Sequence, residues 1–167
     1  MSVITSFQPI ADTTARLLIL GSMPGVLSLK ANQYYAHPRN AFWPIMAALY
    51  DFSAQSAYEN RVQSLKSAQI AVWDVLHTCV RTGSLDSAIV SGSRIVNDFK
   101  SFFRDCPNIQ LIAFNGTEAE KSFNTYVSPA LDLTNKTFVR LPSSSPAHTK
   151  SLEQKIEAWK ALLKPMA

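Results

Sequence analysis

A chain of 167 residues, 47% hydrophobic and 17% charged, can bury one core without disulfides or a structural metal. No apolar run approaches the roughly 20 residues that span a bilayer, and Met1 to Thr5 lack the basic-then-apolar pattern of a signal peptide, so a cytoplasmic protein with a single domain over 1–167 is expected. The balance of 16 Lys and Arg against 12 Asp and Glu, net +4, is compatible with a phosphate backbone as partner but is weak evidence for one.

Residues 1–15 read as an irregular lead-in with Pro9 and the turn cluster Asp12-Thr13-Thr14. The apolar run 16–20 then stops at Gly21, the pattern of a strand buried on both faces of a parallel sheet. Gly21-Ser22-Met23-Pro24-Gly25 follows as a loop whose backbone a ligand can approach closely. Next comes Tyr34-Tyr35-Ala36-His37-Pro38-Arg39-Asn40-Ala41-Phe42-Trp43, a run dense in aromatics that also holds a histidine, an arginine and an asparagine. Aromatic rings offer flat faces to a base, although core packing claims most of them. A helix is expected from about Trp43, with Pro44 at its first position and Phe42, Ile45, Met46 and Leu49 on its apolar face. After a polar break at 51–56, Tyr58, Val62 and Leu65 recur at helical spacing.

The second strand is read at 70–73, ending in Asp74, and a long connection leads to a short helix around 85–90. A further helix is expected over 97–104, closed by Cys106-Pro107. Cys79 and Cys106 lack the close pairing of metal ligands and read as buried thiols. The third strand, 109–114, stops at Asn115-Gly116. Thr117 with Glu120 reads as a capping box, and Ala119, Phe123 and Tyr126 as a buried stripe. The fourth strand, 137–141, runs into Pro142-Ser143-Ser144-Ser145-Pro146-Ala147-His148-Thr149. Ser151 and Gln154 then cap a last helix with the stripe Leu152, Ile156, Trp159 and Leu163.

Strands alternating with helices predict an α/β fold, a three-layer α/β/α sandwich on a four-stranded parallel sheet. In such sheets ligands bind outside the carboxyl ends of the strands. The Gly21 loop, Asp74, Asn115-Gly116 and the serine–proline loop should therefore meet on one rim. The first loop is neither a Walker loop nor a dinucleotide fingerprint, which weakens coenzyme binding without removing a nucleotide-binding protein as a rival.

The runs just quoted, together with Trp73-Asp74-Val75-Leu76, Gly83-Ser84-Leu85-Asp86 and Phe114-Asn115-Gly116, resemble the hypoxanthine-DNA glycosylase branch of the uracil-DNA glycosylase superfamily. The resemblance covers about 16–163. It implies a four-stranded parallel sheet between helices and cofactor-free, metal-free hydrolysis of the N-glycosidic bond of a deaminated base. Hypoxanthine is the first candidate base and uracil the second, as the opening step of base excision repair. The partner is then double-stranded DNA, with single strands a further candidate, and a monomer is expected.

The resemblance implies Asn40, the asparagine of the His37-Pro38-Arg39-Asn40 run, as the catalytic residue, and Met23 stands where several other branches carry a catalytic Asp, Asn or Glu. The other reading of Asn40 is a turn or helix-cap asparagine. It also implies a substrate pocket from Gly21, Ser22, Met23, Pro24 and Gly25, with Tyr35 and Phe42 as stacking faces. Asp74 stands where relatives place a base-reading asparagine; as an ionised, acceptor-only group it suits the ring N–H of inosine and uracil. Asn115 is a further candidate contact, or simply a strand-to-helix turn. Ser143, Ser144, Ser145, Pro146, Ala147 and His148 would meet DNA. A serine replaces the histidine that opens this loop in the uracil enzymes, and Ala147 is small for a wedge, which leaves His148 as filler. Without a distinctive lysine in these runs the reaction is expected to be monofunctional, Lys30 being the one residue that could alter this. A damage sensor that flips bases without cleaving them is the second rival.

Overall fold

The computed structural model describes residues 2–164. At its centre lies a four-stranded, wholly parallel sheet of β2 (Leu17–Gly21), β3 (Ile70–Asp74), β6 (Leu111–Asn115) and β7 (Thr137–Leu141), in the order β3-β2-β6-β7. The chain leaves β2 for one neighbour, β3, and later returns to its other neighbour, β6. The point where strand order reverses is where an open α/β sheet leaves a crevice. Gly21 and Asn115 end the two strands that flank it.

Every residue of β2 and β3 is buried, as continuous apolar runs between two layers must be. Alternation divides the core. Leu17 and Ile19 face α2 (Phe42–Tyr50), α3 (Tyr58–Ser67) and α6 (Leu152–Leu163) through Ile45, Met46, Leu65 and Trp159. Leu18 and Leu20 face α4 (Phe99–Asp105) and α5 (Thr117–Ser122) through Phe99, Phe102 and Ala119. The three-layer sandwich read from the sequence is the fold observed. Two indole N–H groups tie this core to the rim. Trp43 donates to the carbonyl of Tyr34 at 2.8 Å, and Trp159 to that of Pro142 at 2.8 Å.

Several local readings are corrected. The lead-in contains β1 (Val3–Thr5), and the expected long connection contains β4 (Leu76–Val80). With β5 (Ile95–Val96) they make a second, antiparallel sheet of order β1-β4-β5. The first loop includes a helical turn and a half, α1 (Val26–Ala31). The helix expected around 85–90 shrinks to a single 3-10 turn, Asp86–Ala88. Pro44 is the third residue of α2, still among the first four N–H positions that lack an intrahelical acceptor.

The capping box at Thr117 does not form. Gly116, at φ +96°, supplies the N-terminal boundary of α5, and Glu120 turns outward to pair with Arg140 at 3.3 Å. Beyond α5 the chain widens into a π-helical turn over Phe123–Val127, and this rotation leaves Tyr126 exposed while Phe123 stays buried. The box at Ser151 is present in both directions, Gln154 N–H to Ser151 Oγ at 3.2 Å and Ser151 N–H to Gln154 Oε1 at 3.0 Å. Leu152, expected in the stripe of α6, is exposed at its first turn, whereas Trp159 and Leu163 are buried. Both cysteines are buried and unpaired. No described helix is long and apolar enough to cross a membrane.

Candidate active site

A cleft of about 540 Å³ opens over the carboxyl ends of the four parallel strands. Every site residue singled out in the sequence lines it except Phe42. Gly21 forms the floor, where a Cβ would lie 2.5 Å from Asp74 Oδ1 and 2.9 Å from Tyr35 Oη. Only a residue without a side chain lets the carboxyl and the phenol come together above β2. Met23 is buried in the core beneath the loop, so this loop offers the cleft no polar side chain at that position.

Asn40 stands at the mouth of α2. Its Oδ1 accepts the N–H of Phe42 at 2.9 Å, and its own N–H donates to the carbonyl of His37 at 2.9 Å. It is therefore a turn-and-cap asparagine and a cleft residue at once. The cap fixes the orientation of the amide, leaving the second lone pair of the oxygen and the N–H2 group for a ligand. The next peptide, Ala41, donates to Ser144 O at 2.9 Å and so joins this loop to the serine loop.

The aromatic pair is arranged differently from expectation. Phe42 is wholly buried, stacked beneath Tyr35 at 4.1 Å with 21° between planes and edge-on to Trp43 at 5.0 Å. As the first residue of α2 it points down at the sheet with Ile45 and Met46, so it packs the core and does not face the cleft. Tyr35 is the ring at the surface of the site. It holds a left-handed φ of +55°, costly for a bulky residue, and turns its hydroxyl toward Asn115.

Asn115 is a clamp. Its Nδ2 donates to Tyr35 Oη at 3.2 Å and to Ser144 Oγ at 2.9 Å, while its Oδ1 accepts the N–H of Ser144 at 2.9 Å. The serine loop then folds on itself, Ser143 Oγ accepting from Ser145 N–H and Ser145 O from His148 N–H. The buried Lys155 of α6 donates to Ser145 O at 3.0 Å. Ala147 is exposed at the rim. His148 keeps a buried, unpartnered Nδ1, its pKa lowered by burial and by the charges of Lys155 and Lys150, which favours the neutral imidazole.

On the opposite wall the segment Gly83-Ser84-Leu85-Asp86, which entered the sequence reading only as part of the resemblance, holds the glycine loop. Ser22 donates to Asp86 Oδ1 at 2.6 Å, Val26 N–H to Ser84 Oγ at 2.9 Å, and Arg81 Nη2 to Pro24 O at 2.6 Å. The segment 81–86 thus bolts the glycine loop in place and brings Asp86 and the exposed Leu85 to the cleft. Its Gly-Ser-Leu-Asp run was visible in the sequence. What could have marked it is an acid and a serine flanking an exposed leucine in a loop. Asp74 sits between the walls, 3% exposed, with Oδ2 unpartnered. Burial, and then the charge of Asp86, raise its pKa to about 7 against the opposing pull of Arg81. Asp86 is itself raised by desolvation, partly offset by the bond from Ser22.

The family model for the uracil DNA glycosylase superfamily matches residues 8–163. The chain belongs to that superfamily. It is 34% identical over 154 residues to the hypoxanthine DNA glycosylase of Methanosarcina barkeri, covering 92% of this chain and 93% of that one. It is 33% identical to the hypoxanthine DNA glycosylase of Methanosarcina acetivorans, over 95% and 96% of the two chains. A solution NMR structure from Methanosarcina acetivorans, described as a candidate uracil DNA glycosylase, superimposes with a TM-score of 0.77 at 32% identity, covering 94% of this chain and 96% of that one. The cleft of this superfamily member presents the ring of Tyr35, the buried carboxyl of Asp74, the capped amide of Asn40 and the hydroxyl groups of the serine loop.

Proposed function

We propose that this protein is a monofunctional DNA glycosylase that hydrolyses the N-glycosidic bond of hypoxanthine, and of uracil as a second substrate, in DNA. The observation that carries the reading is the end-to-end match to the two Methanosarcina hypoxanthine DNA glycosylases. The cleft supports it by bringing Asn40, Tyr35 and Asp74 together at the strand ends.

Chemistry on a base needs that base out of the duplex, at a cost of a few kcal/mol in lost stacking and pairing. The exposed Lys150 and the serine loop meet the phosphate backbone, and Ala147 and His148 fill the vacated stack. The flipped base lies on Tyr35, whose ring is backed by Phe42. Asn40 orients a water against C1′, and its amide dipole favours the oxocarbenium-like sugar through which glycoside cleavage passes. The water oxygen bonds to C1′ as the bond to the base breaks, and the bonding electron pair leaves with the base. One water proton goes to solvent and the base regains a proton there, giving an abasic sugar and a free base. A lyase step needs an amine nucleophile, and among the described residues no lysine lines the cleft.

Duplexes carrying a single inosine or uracil, incubated with the protein and then treated with alkali, should be cut at that position. Untreated samples should stay intact. Binding without alkali-sensitive sites would instead describe a sensor of damaged bases, and neither binding nor cutting would remove DNA as the substrate.

A further inference from the structure

Asp74 is the one acid among the described residues in the fully buried class, and none of the ion pairs of those residues includes it. Its backbone is held firmly. It pairs with Gly21 at the end of β3, and its carbonyl accepts Asn97 Nδ2 at 2.8 Å. Its side chain is not: Oδ2 is buried without a hydrogen-bond partner, and the ion pairs of the described residues lie elsewhere, at Arg94, Arg104 and Arg140. Arg81, the cation that bears on it, spends Nε on Gly83 O and Nη2 on Pro24 O. The remaining groups around it are Asp86, Tyr34, Tyr35, His37 and His148, which line the same cleft. Burial drives both phenols further into their neutral form. An ionised carboxylate in this setting is heavily penalised, whereas a neutral acid is not.

We propose that Asp74 reads the flipped base as a neutral carboxylic acid, its carbonyl oxygen accepting the ring N–H and its O–H donating to the adjacent ring carbonyl. This rests on the glycosylase reading above and sharpens its substrate class to bases with a lactam edge, a ring N–H beside a C=O. A neutral acid supplies one donor and one acceptor, as an amide does. An ionised Asp74 has acceptors only, so it would meet the N–H but repel the carbonyl. The difference grows as the bond breaks. Negative charge spreads onto the departing base and its carbonyl oxygen, where an O–H donor stabilises it and a carboxylate opposes it. The proton stays on Asp74 throughout. The serine loop has no histidine at its start to help the leaving base, and the O–H of Asp74 takes over that assistance. With the carboxyl pushed up to about 7, the neutral form is present at and below neutral pH.

The test is the single-turnover rate of base release from an inosine duplex between pH 5.5 and 9, read as free base by chromatography, for the parent, Asp74→Asn and Asp74→Ala. The parent should lose about tenfold per pH unit on a descending limb that begins near neutrality. Asp74→Asn should stay within about tenfold of the parent at low pH and show no such limb, since an amide keeps donor and acceptor at every pH. Asp74→Ala should be slow throughout. Release with a flat parent profile, or the same descent in Asp74→Asn, overturns this inference and leaves the glycosylase reading intact. No release at any pH sinks both.

Denaturant unfolding gives a readout independent of activity. Asp74 protonated when folded but ionised when unfolded makes the native state hold the extra proton between about pH 4 and 7, so stability must fall as pH rises through that window. Asp74→Asn should flatten that fall. An equal slope in both proteins contradicts the neutral acid.

Discussion

The two walls of the cleft are built on opposite principles. On one side Asn115, Ser144, Asn40 and Lys155 exchange hydrogen bonds among themselves, so that the serine loop, Tyr35 and the start of α2 form one clamped unit. On the other side, Asp74 and Arg81 are buried with one polar atom each left unpartnered, while Asp86 and the serines fasten the backbone around them. His148 is the exception on the clamped wall, with a free Nδ1 at its outer tip. Satisfied groups fix geometry, and unsatisfied buried groups wait for a partner. Substitutions of the clamp residues should register chiefly as lost stability and looseness, and those that change the charge around Asp74 chiefly as altered chemistry.

The largest effect tests where the clamped wall ends. Phe42 lies under Tyr35 with no exposure, so Phe42→Ala should cost about 3–5 kcal/mol of stability. Tyr35→Ala should leave stability less affected and weaken capture of inosine-containing over undamaged DNA by about 1–3 kcal/mol. Melting curves and paired affinity measurements separate the two. If Phe42→Ala melts like the parent yet loses inosine selectivity, the assignment of the two rings is reversed.

Asn40 belongs to both walls by function, which makes it the sharpest divider. Asn40→Ala should lower base release about 10²–10³-fold, the scale of losing one preorganised polar group. Loss of its cap on the Phe42 N–H should cost only about 1 kcal/mol. Asn40→Asp preserves the cap and an oxygen toward the water, and should keep substantial activity. Should Asn40→Ala release hypoxanthine at the parent rate, the residue is a cap and nothing more.

How much of this was legible beforehand follows the same division. The strand ends were, because continuous apolar runs stopping at Gly21, Asp74 and Asn115 leave few alternatives for a parallel sheet. The second sheet was not: β1, β4 and β5 are short and half exposed, with no clean period to betray them. Phe42 and Tyr35 could not be told apart, because which ring surfaces depends on the left-handed turn at Tyr35, which the chain adopts against local preference. The Thr117 box failed because a glycine with positive φ occupied the boundary first. The contacts of Arg81 and Asp86 with the glycine loop were not legible, for a simpler reason. The bond from Ser22 to Asp86 joins residues 64 positions apart, and nothing local foretells it.

Asn115→Ala probes the clamp itself. It strips Ser144 N–H and Oγ and Tyr35 Oη of their partners, and leaving such buried groups unmatched costs about 1–3 kcal/mol. Because the serine loop and Tyr35 are released together, base release should slow by about tenfold without any change in the shape of its pH profile. A changed shape with unchanged stability would place Asn115 among the chemical groups instead.

The smallest effect is the most specific. Asp86 touches the chemistry only by its charge, which helps hold the carboxyl of Asp74 high, and by its bond from Ser22. Asp86→Asn removes the charge and keeps an oxygen for the Ser22 hydroxyl, so the loop should stay in place. With one repelling negative charge gone, Asp74 must ionise at lower pH, and the descending limb of base release should move toward acid. The rate well below that limb should barely change. The reverse movement is what Arg81 predicts. Its charge pulls Asp74 down, so Arg81→Met should move the limb toward alkali, although losing the bonds to Pro24 and Gly83 will also cost stability. Opposite movements from the two variants would locate the titrating group between them, at Asp74. If both leave the limb where it was, the titrating group lies on the clamped wall, and His148 with its free Nδ1 is the residue to change next.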